Sequence, residues 1–243
     1  MAPGLTEIVY ALDRGGDLVA TTRFCDYPAA ALRTPKIGGY LDLSLERVLA
    51  ARPTVILGYG EHRGLLTPLP AGRPRVVLLR HGSLSDLYSA IETIALVLDA
   101  REVGHRLSAS LQRELAAVTA RKRPGRRPRV LLVAGHDPGS LRHLVLVGRG
   151  DFLSELLLLA GGENAYGGSI PYPQVAAESV IALRPDWIID LQADPGPAAP
   201  WHELPLVPAV RQGKVRTLTG PLWMRPGPRV VEIARQFAAI LAQ

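Results

Sequence analysis

Aromatic side chains placed in loops are the residues of this chain best suited to chemistry, because only 5% of its 243 residues are aromatic. Tyr40 follows a Gly-Gly pair, Tyr59 follows a hydrophobic run ending at Leu57, Tyr172 stands between two prolines, and Trp223 lies beyond Leu218. Any one of them is ordinary loop packing taken alone. Four at corresponding loop sites, two in each half of the chain, suit a broad planar ligand that needs aromatic surface and a few polar anchors. Covalent chemistry finds less support. His62, His81, His105, His136, His143 and His202 form no HExxH spacing, and neither a GxSxG elbow nor a GxxxxGKS loop occurs. Gly148-Arg149-Gly150-Asp151 lacks the further glycine of a dinucleotide fingerprint. The chain reads as a binding protein and not an enzyme. A metal-ion receptor, with His62, His136, Asp137 and His143 converging, stays open as an alternative.

A second pair of functional candidates emerges from an internal repeat. Leu43–Leu57 (LSLERVLAARPTVIL) returns 132 positions later as Val175–Ile189 (VAAESVIALRPDWII), aligning Glu46 with Glu178, Arg52 with Arg184 and Pro53 with Pro185. Leu5-Thr6-Glu7 is echoed by Leu153-Ser154-Glu155. Each long copy predicts a helix stopped at an Arg-Pro step and followed by a short strand, so the chain is expected to form two similar α/β lobes with a cleft between them. Glu46 and Glu178 fall near the start of each repeated helix, where the dipole alone favours a carboxylate.

The elements that must position these residues alternate β and α, which predicts mainly parallel sheets. Helices are expected over Leu5–Leu12, Leu84–Leu98, Arg101–Arg121, Asp151–Leu159 and Arg229–Leu241, and strands at Asp17–Ala20, Thr54–Leu57, Arg75–Leu79, Val130–Ala134, Leu144–Val147 and Val215–Leu218. Gly58–Arg63 and Thr219–Pro228 read as loops. The longest helix, at ~1.5 Å per residue, would reach about 30 Å. Its position between the repeat copies suggests a backbone joining two lobes; a helical hairpin on one sheet fits its periodicity equally well. The expected organisation is an N-terminal lobe over 1–98, an interlobe helix over 99–123 and a C-terminal lobe over 124–243.

Composition bounds the remaining classes. A hydrophobic content of 47% supports real cores. No run reaches the roughly 18 apolar residues a membrane-spanning helix needs. The net charge of +6 is concentrated at Arg121–Arg129, a Pro- and Gly-interrupted cluster without aromatic neighbours, which reads as a solvated connection and not a nucleic-acid surface. The single Cys25 excludes an internal disulfide.

The segments CDYP with KIGG, LERVLAARP, FLSELLLLAGGEN, YPQV with AESVIALRPD, and WMRPGPR, in that order, resemble the helical-backbone class of substrate-binding proteins that serve ABC importers. Within that class they look most like the receptors for cobalamin; related members bind haem or ferric siderophores. The resemblance implies two Rossmann-like lobes joined by one long helix, a monomer, no resident cofactor, and a corrinoid ligand in the interlobe cleft. It places ligand-facing aromatics at Tyr40 and Tyr172, more loosely at Tyr59 and Trp223, a polar cleft residue at Arg225, and the first ligand loop at Pro3 and Gly4. Tyr27, in the CDYP turn, is a further candidate. It also gives Glu46 and Glu178 the role of docking on arginines of a two-fold permease. Family members carry a strand before the Ala-Pro turn, where Met1 stands here, and a leader before that. A periplasmic or extracytoplasmic location therefore follows from the resemblance with that leader restored; a cytosolic corrinoid-binding protein is the other reading of the sequence as it stands.

Overall fold

The computed structural model describes residues 2–69, 74–120 and 125–243. The residues divide into two compact units, Met1–Gln112 with Pro226–Pro228, and Arg113–Arg225 with Arg229–Gln243. The expected end of the long helix at Arg121, the proposed interlobe boundary at 123–124, the first four residues of the basic run and the strand end at Met1 lie outside the described residues.

The first unit opens with α1 (Pro3–Ala11), whose first residue is a proline preset for a helical start. It continues through α2 (Leu45–Ala50), β1 (Val55–Tyr59), α3 (Arg63–Leu66), β2 (Arg75–Leu79), α4 (Leu84–Val97) and the 20-residue α5 (Arg101–Ala120), which runs on past Gln112 into the second unit. β1 and β2 pair in parallel, with Ile56 beside Val76. Leu5 and Ile8 of α1 and Leu12 just after it are buried, as are Ile91 and Ile94 of α4, and the two helices pack together. The lone glycine of the helical stretch has a steric explanation, since a Cβ on Gly104 would lie 2.5 Å from the Cβ of Ala95. Ser83 and Asp86 form a reciprocal capping box that starts α4.

The second unit contains β3 (Arg129–Gly135), β4 (Leu144–Leu146), α6 (Phe152–Leu159), β5 (Glu163–Asn164), β6 (Gln174–Val175), α7 (Ser179–Leu183), β7 (Trp187–Gln192), α8 (Pro208–Arg211), β8 (Val215–Thr219) and α9 (Val230–Leu241). The strand order is β6-β4-β3-β7-β8, with β5 also paired to β3. β3, β5, β7 and β8 run parallel, whereas β4 and β6 pair antiparallel. Val130–Val133 and Trp187–Leu191 are buried on both faces, as parallel strands covered by helices must be. α6 packs on α9 beneath them. The fold is thus α/β with mainly parallel sheets. Among the described residues no helix is long and apolar enough to cross a membrane.

The repeat extends to an unusual backbone state. Arg52 and Arg184, each preceding proline, have φ of 46° and 45°, and each donates its N–H to the carbonyl three residues back. Proline's Cδ forbids its predecessor a right-handed continuation, so the chain leaves both helices through a left-handed arginine.

Three local expectations are corrected. The strand expected at Asp17–Ala20 is a 3-10 turn at Gly15–Asp17, closed by an Arg14–Asp17 ion pair of 2.7 Å and followed by one bridge from Thr21 to Lys36. The loop expected from Gly58 is strand as far as Tyr59 and then turns through Gly60–His62 into α3. The loop after Thr219 includes a 3-10 helix at Pro221–Met224. Within the described part of the basic run, Arg126 binds both oxygens of Asp186 at 3.0 and 2.9 Å, and Arg129 donates to the carbonyls of Ala165 and Leu183.

Gly148 holds the loop that bears Tyr172. A Cβ there would lie 1.9 Å from the carbonyl oxygen of Ile170, while the Gly148 N–H donates to Pro171 O at 2.6 Å. Both obstacles are backbone, so Gly148→Ala is expected to destabilise the second unit by about 2 kcal/mol, in the range of overpacking penalties, as measured by urea denaturation.

Candidate functional site

Parallel strands deliver their functional residues at their carboxyl ends. In the first unit β1 ends at Tyr59 and leads into Glu61 and His62, and β2 ends at Leu79, two residues before His81. These side chains assemble with Tyr40 into one cluster. His62 is fully buried; its Nδ1 accepts the Tyr59 N–H at 3.0 Å, and its Nε2 donates to the Tyr40 carbonyl at 3.0 Å. Burial lowers the His62 pKa, which keeps the ring in the neutral form this pair of bonds requires. The Tyr40 ring meets His62 edge-on at 4.6 Å, and the Tyr59 and His81 rings lie 4.3 Å apart.

Glu61 is the polar hub. Its Oε1 accepts the Tyr40 hydroxyl and the His81 Nε2–H, the latter at 2.9 Å. Burial works against its charge, but the hydrogen bond from Tyr40, a backbone hydrogen bond and His81 together hold it below the usual carboxylate range. Desolvation and the neighbouring Glu61 raise both the Tyr40 and Tyr59 phenols, so both stay protonated, and Tyr40 donates to Glu61. Gly4 closes the underside: a Cβ there would stand 2.4 Å from the Pro226 carbonyl oxygen and 3.3 Å from the Tyr59 hydroxyl. The result is a partly exposed aromatic surface with a carboxylate at its edge, able to stack a flat ligand and accept hydrogen bonds from it.

In the second unit Tyr172 is 43% exposed, yet its hydroxyl is fixed by donation to Asp151 Oδ2 at 2.7 Å. Asp151 is buried and caps α6 by accepting the Leu153 N–H at 2.9 Å. Arg149 N–H to Gly168 O and Leu146 N–H to Pro173 O bind both ends of the Tyr172 loop. The ring is therefore presented to solvent on a rigid support.

The remaining candidates fall in different settings. Pro3 begins α1 beside Gly4, and Tyr27 is an exposed residue of the Cys25–Pro28 turn. Arg225 is buried. Trp223 is also buried, stacked 6.1 Å from Phe237 in the second unit, and its Nε1 has no hydrogen-bond partner among the described residues. Tyr40, Tyr59 and Gly4 are thus brought together, with Tyr59 buried to 5% exposure, and Trp223 is buried to 3% in the second unit. Glu46 is exposed at the second residue of α2, after the Ser44 cap, and Glu178 is exposed at the cap position of α7. Glu61 and Asp151 were not singled out from the sequence. Glu61 could have been found by its place two residues beyond a parallel strand, and Asp151 only by the partner it caps.

Among the described residues no group of three or more His, Cys, Asp or Glu side chains could hold a metal ion. His136 bonds to the buried Asp190 at 3.1 Å, which also accepts the Trp201 Nε1–H at 3.0 Å, and His143 pairs with Asp137 at 3.0 Å.

Comparison with known proteins identifies the family. The family described as Periplasmic binding protein matches residues 1–222. The Vitamin B12-binding protein of Vibrio parahaemolyticus is 28% identical, over 99% of this chain and 88% of that protein. The solved periplasmic vitamin B12-binding protein BtuF of Vibrio cholerae has a TM-score of 0.81 at 23% identity, covering 100% of this chain and 94% of its own. The periplasmic heme-binding protein HutB of the same organism has a TM-score of 0.83 at 21% identity, covering 99% and 96%. With two parallel-sheet units and a family match over most of its length, the chain belongs to the periplasmic binding protein family.

Proposed function

We propose that this protein is the extracytoplasmic substrate-binding component of an ABC importer and that its ligand is a corrinoid, cobalamin or a close relative, contacted by Tyr40 and Tyr59 of the first unit and by Tyr172 of the second. Pro3, Gly4, Tyr27 and Arg225 border these contacts in the same reading. The observation that carries the proposal is the rigid aromatic cluster around Glu61, at the carboxyl ends of β1 and β2. The B12-binding name of the Vibrio relative supports the same ligand.

A haem receptor is the second reading, favoured by the likeness of fold to HutB. Charge argues for the corrinoid. Haem carries two propionate carboxylates, which a charged Glu61 repels; a corrin ring carries neutral amide arms whose N–H groups a carboxylate accepts.

Calorimetric titration of the protein and of Glu61→Gln with cyanocobalamin and with haem tests both readings. The expected result is saturable one-to-one binding of cobalamin by the wild type, weakened about fivefold in Glu61→Gln, with haem binding weaker and improved by the same change. Haem binding without cobalamin binding would move the assignment to the second reading.

A further inference from the structure

Loop 148–151 braces Tyr172 through Gly148 and Asp151, and between them it carries a charged side chain that the brace does not use. Arg149 is exposed, and its backbone is fixed by donation of its N–H to the Gly168 carbonyl at 2.9 Å. Its guanidinium lies over Gly167, where a Cβ would stand 3.5 Å from an Arg149 terminal nitrogen. Among the described residues no hydrogen bond, ion pair or ring contact engages that guanidinium. Other arginines on the surface are matched by carboxylates, Arg126 by Asp186, Arg235 by Glu114 and Arg23 by Asp42.

Arg149 stands beside a candidate ligand contact. Gly148, the residue before it, donates to the Pro171 carbonyl, and Asp151, two residues on, accepts the Tyr172 hydroxyl. Ile170 and Tyr172 are both exposed on the loop so held. The second unit therefore presents an aromatic ring, an aliphatic side chain and a cation on two loops tied together by backbone hydrogen bonds. A guanidinium is planar, permanently charged and weakly hydrated, and it binds phosphate oxygens through two parallel N–H bonds. Carried on a fixed backbone, it loses less freedom on binding than it would on a mobile segment.

The charges beside the two sets of aromatic contacts narrow the ligand. Tyr40 and Tyr59 stand beside the carboxylate of Glu61, whereas Tyr172 stands beside the cation of Arg149. The two propionates of haem would meet attraction at one and repulsion at the other. Complete cobalamin has neutral amide arms around its corrin and one anionic group, the phosphodiester of its nucleotide tail. That pattern is complementary to both.

We propose that Arg149 binds the phosphodiester of the nucleotide tail and so makes this protein select complete cobalamin over corrinoids without the tail. The assignment rests on the corrinoid reading above and adds to it the residue that sets the preference.

The test titrates the unaltered protein and Arg149→Gln with cyanocobalamin and with dicyanocobinamide, which keeps the corrin and amides but has no phosphate, ribose or base. Arg149→Gln is expected to bind cyanocobalamin about fivefold more weakly than the unaltered protein, and dicyanocobinamide equally well. At about 0.5 M salt the difference should fall below about twofold, because an exposed ion pair is screened. The thermal midpoint should stay within about 1 °C, since the guanidinium makes no bond in the fold. Equal losses for the two corrinoids would overturn the proposal, as would an unchanged cyanocobalamin affinity or a loss that salt does not reduce. In each of those cases cobalamin binding by the unaltered protein leaves the corrinoid reading standing. If the unaltered protein binds neither corrinoid, that reading fails and the tail assignment fails with it; haem binding weakened by Arg149→Gln would then give the guanidinium to a propionate.

Discussion

A Glu46→Ala/Glu178→Ala double variant is expected to keep the ligand affinity of the unaltered protein and, if the proposed docking role holds, to support uptake through a permease at less than about a tenth of the normal rate. Both carboxylates are exposed, and neither belongs to the Glu61 cluster or to the Tyr172 loop. Each sits at the start of the same repeated helix, in copies that also share the left-handed arginine exit. The repetition of an exposed charge on matched elements is what a two-fold symmetric partner with two equivalent cationic sites would require. A charge pair of about 1.4 kcal/mol is a factor of ten in affinity, so losing two such contacts exceeds the predicted effect. Folding should change little, because an exposed helix-start carboxylate contributes about 0.3–1 kcal/mol through the dipole. Uptake in reconstituted vesicles, with ligand affinity and thermal midpoint measured alongside, checks the result; normal uptake would remove the docking role. Partial rescue of a Glu46→Arg/Glu178→Arg variant by permeases with inverted charge would identify the partner groups.

How much of this was legible in the sequence depended on whether a signal was local or assembled. The repeat, the helices over Pro3–Ala11, Leu84–Val97 and Val230–Leu241, and the parallel strands could be read because hydrophobic periodicity and Arg-Pro punctuation act within a few residues. The turn at Gly15–Asp17 could not, since an ion pair and two glycines outweighed the strand propensity of the residues after it. Trp223 shows how a setting can depend on a partner distant in the sequence. A tryptophan in a proline-rich loop looks available for stacking, but whether it faces solvent depends on Phe237, which arrives fourteen positions later on α9. Glu61 was overlooked for the opposite reason. Nothing about a glutamate beside a histidine is distinctive until folding brings Tyr40 and His81 onto the same oxygen.

Truncating the two supported tyrosines should separate ring from hydroxyl. Tyr40→Ala and Tyr172→Ala are each expected to weaken cobalamin binding by about thirtyfold, the roughly 2 kcal/mol of an aromatic anchor at a binding surface. Tyr40→Phe keeps the stacking surface and loses only the bond to Glu61, so its loss at neutral pH should stay within about threefold. The Tyr40 and His81 bonds lower the folded pKa of Glu61, so the stabilisation they give is present above the unfolded carboxylate pKa and is lost as pH falls through the folded value, and the stability difference between Tyr40→Phe and the unaltered protein should shrink with it. Removing the Tyr40 bond raises the folded value, so Glu61 loses its charge at higher pH in the variant, and the binding difference should widen on acidification until the unaltered Glu61 is protonated too. Tyr172→Phe differs, because the partner left behind is the buried Asp151; losing the hydroxyl should cost about 1 kcal/mol of stability while leaving the α6 cap in place. Titrations of the four variants between pH 4.5 and 7.5, with denaturation curves for the two phenylalanine forms, distinguish these effects. Equal losses for phenylalanine and alanine would show that the hydroxyl, not the ring, holds the ligand, and would shift the recognition chemistry from stacking to the Glu61 and Asp151 hydrogen bonds.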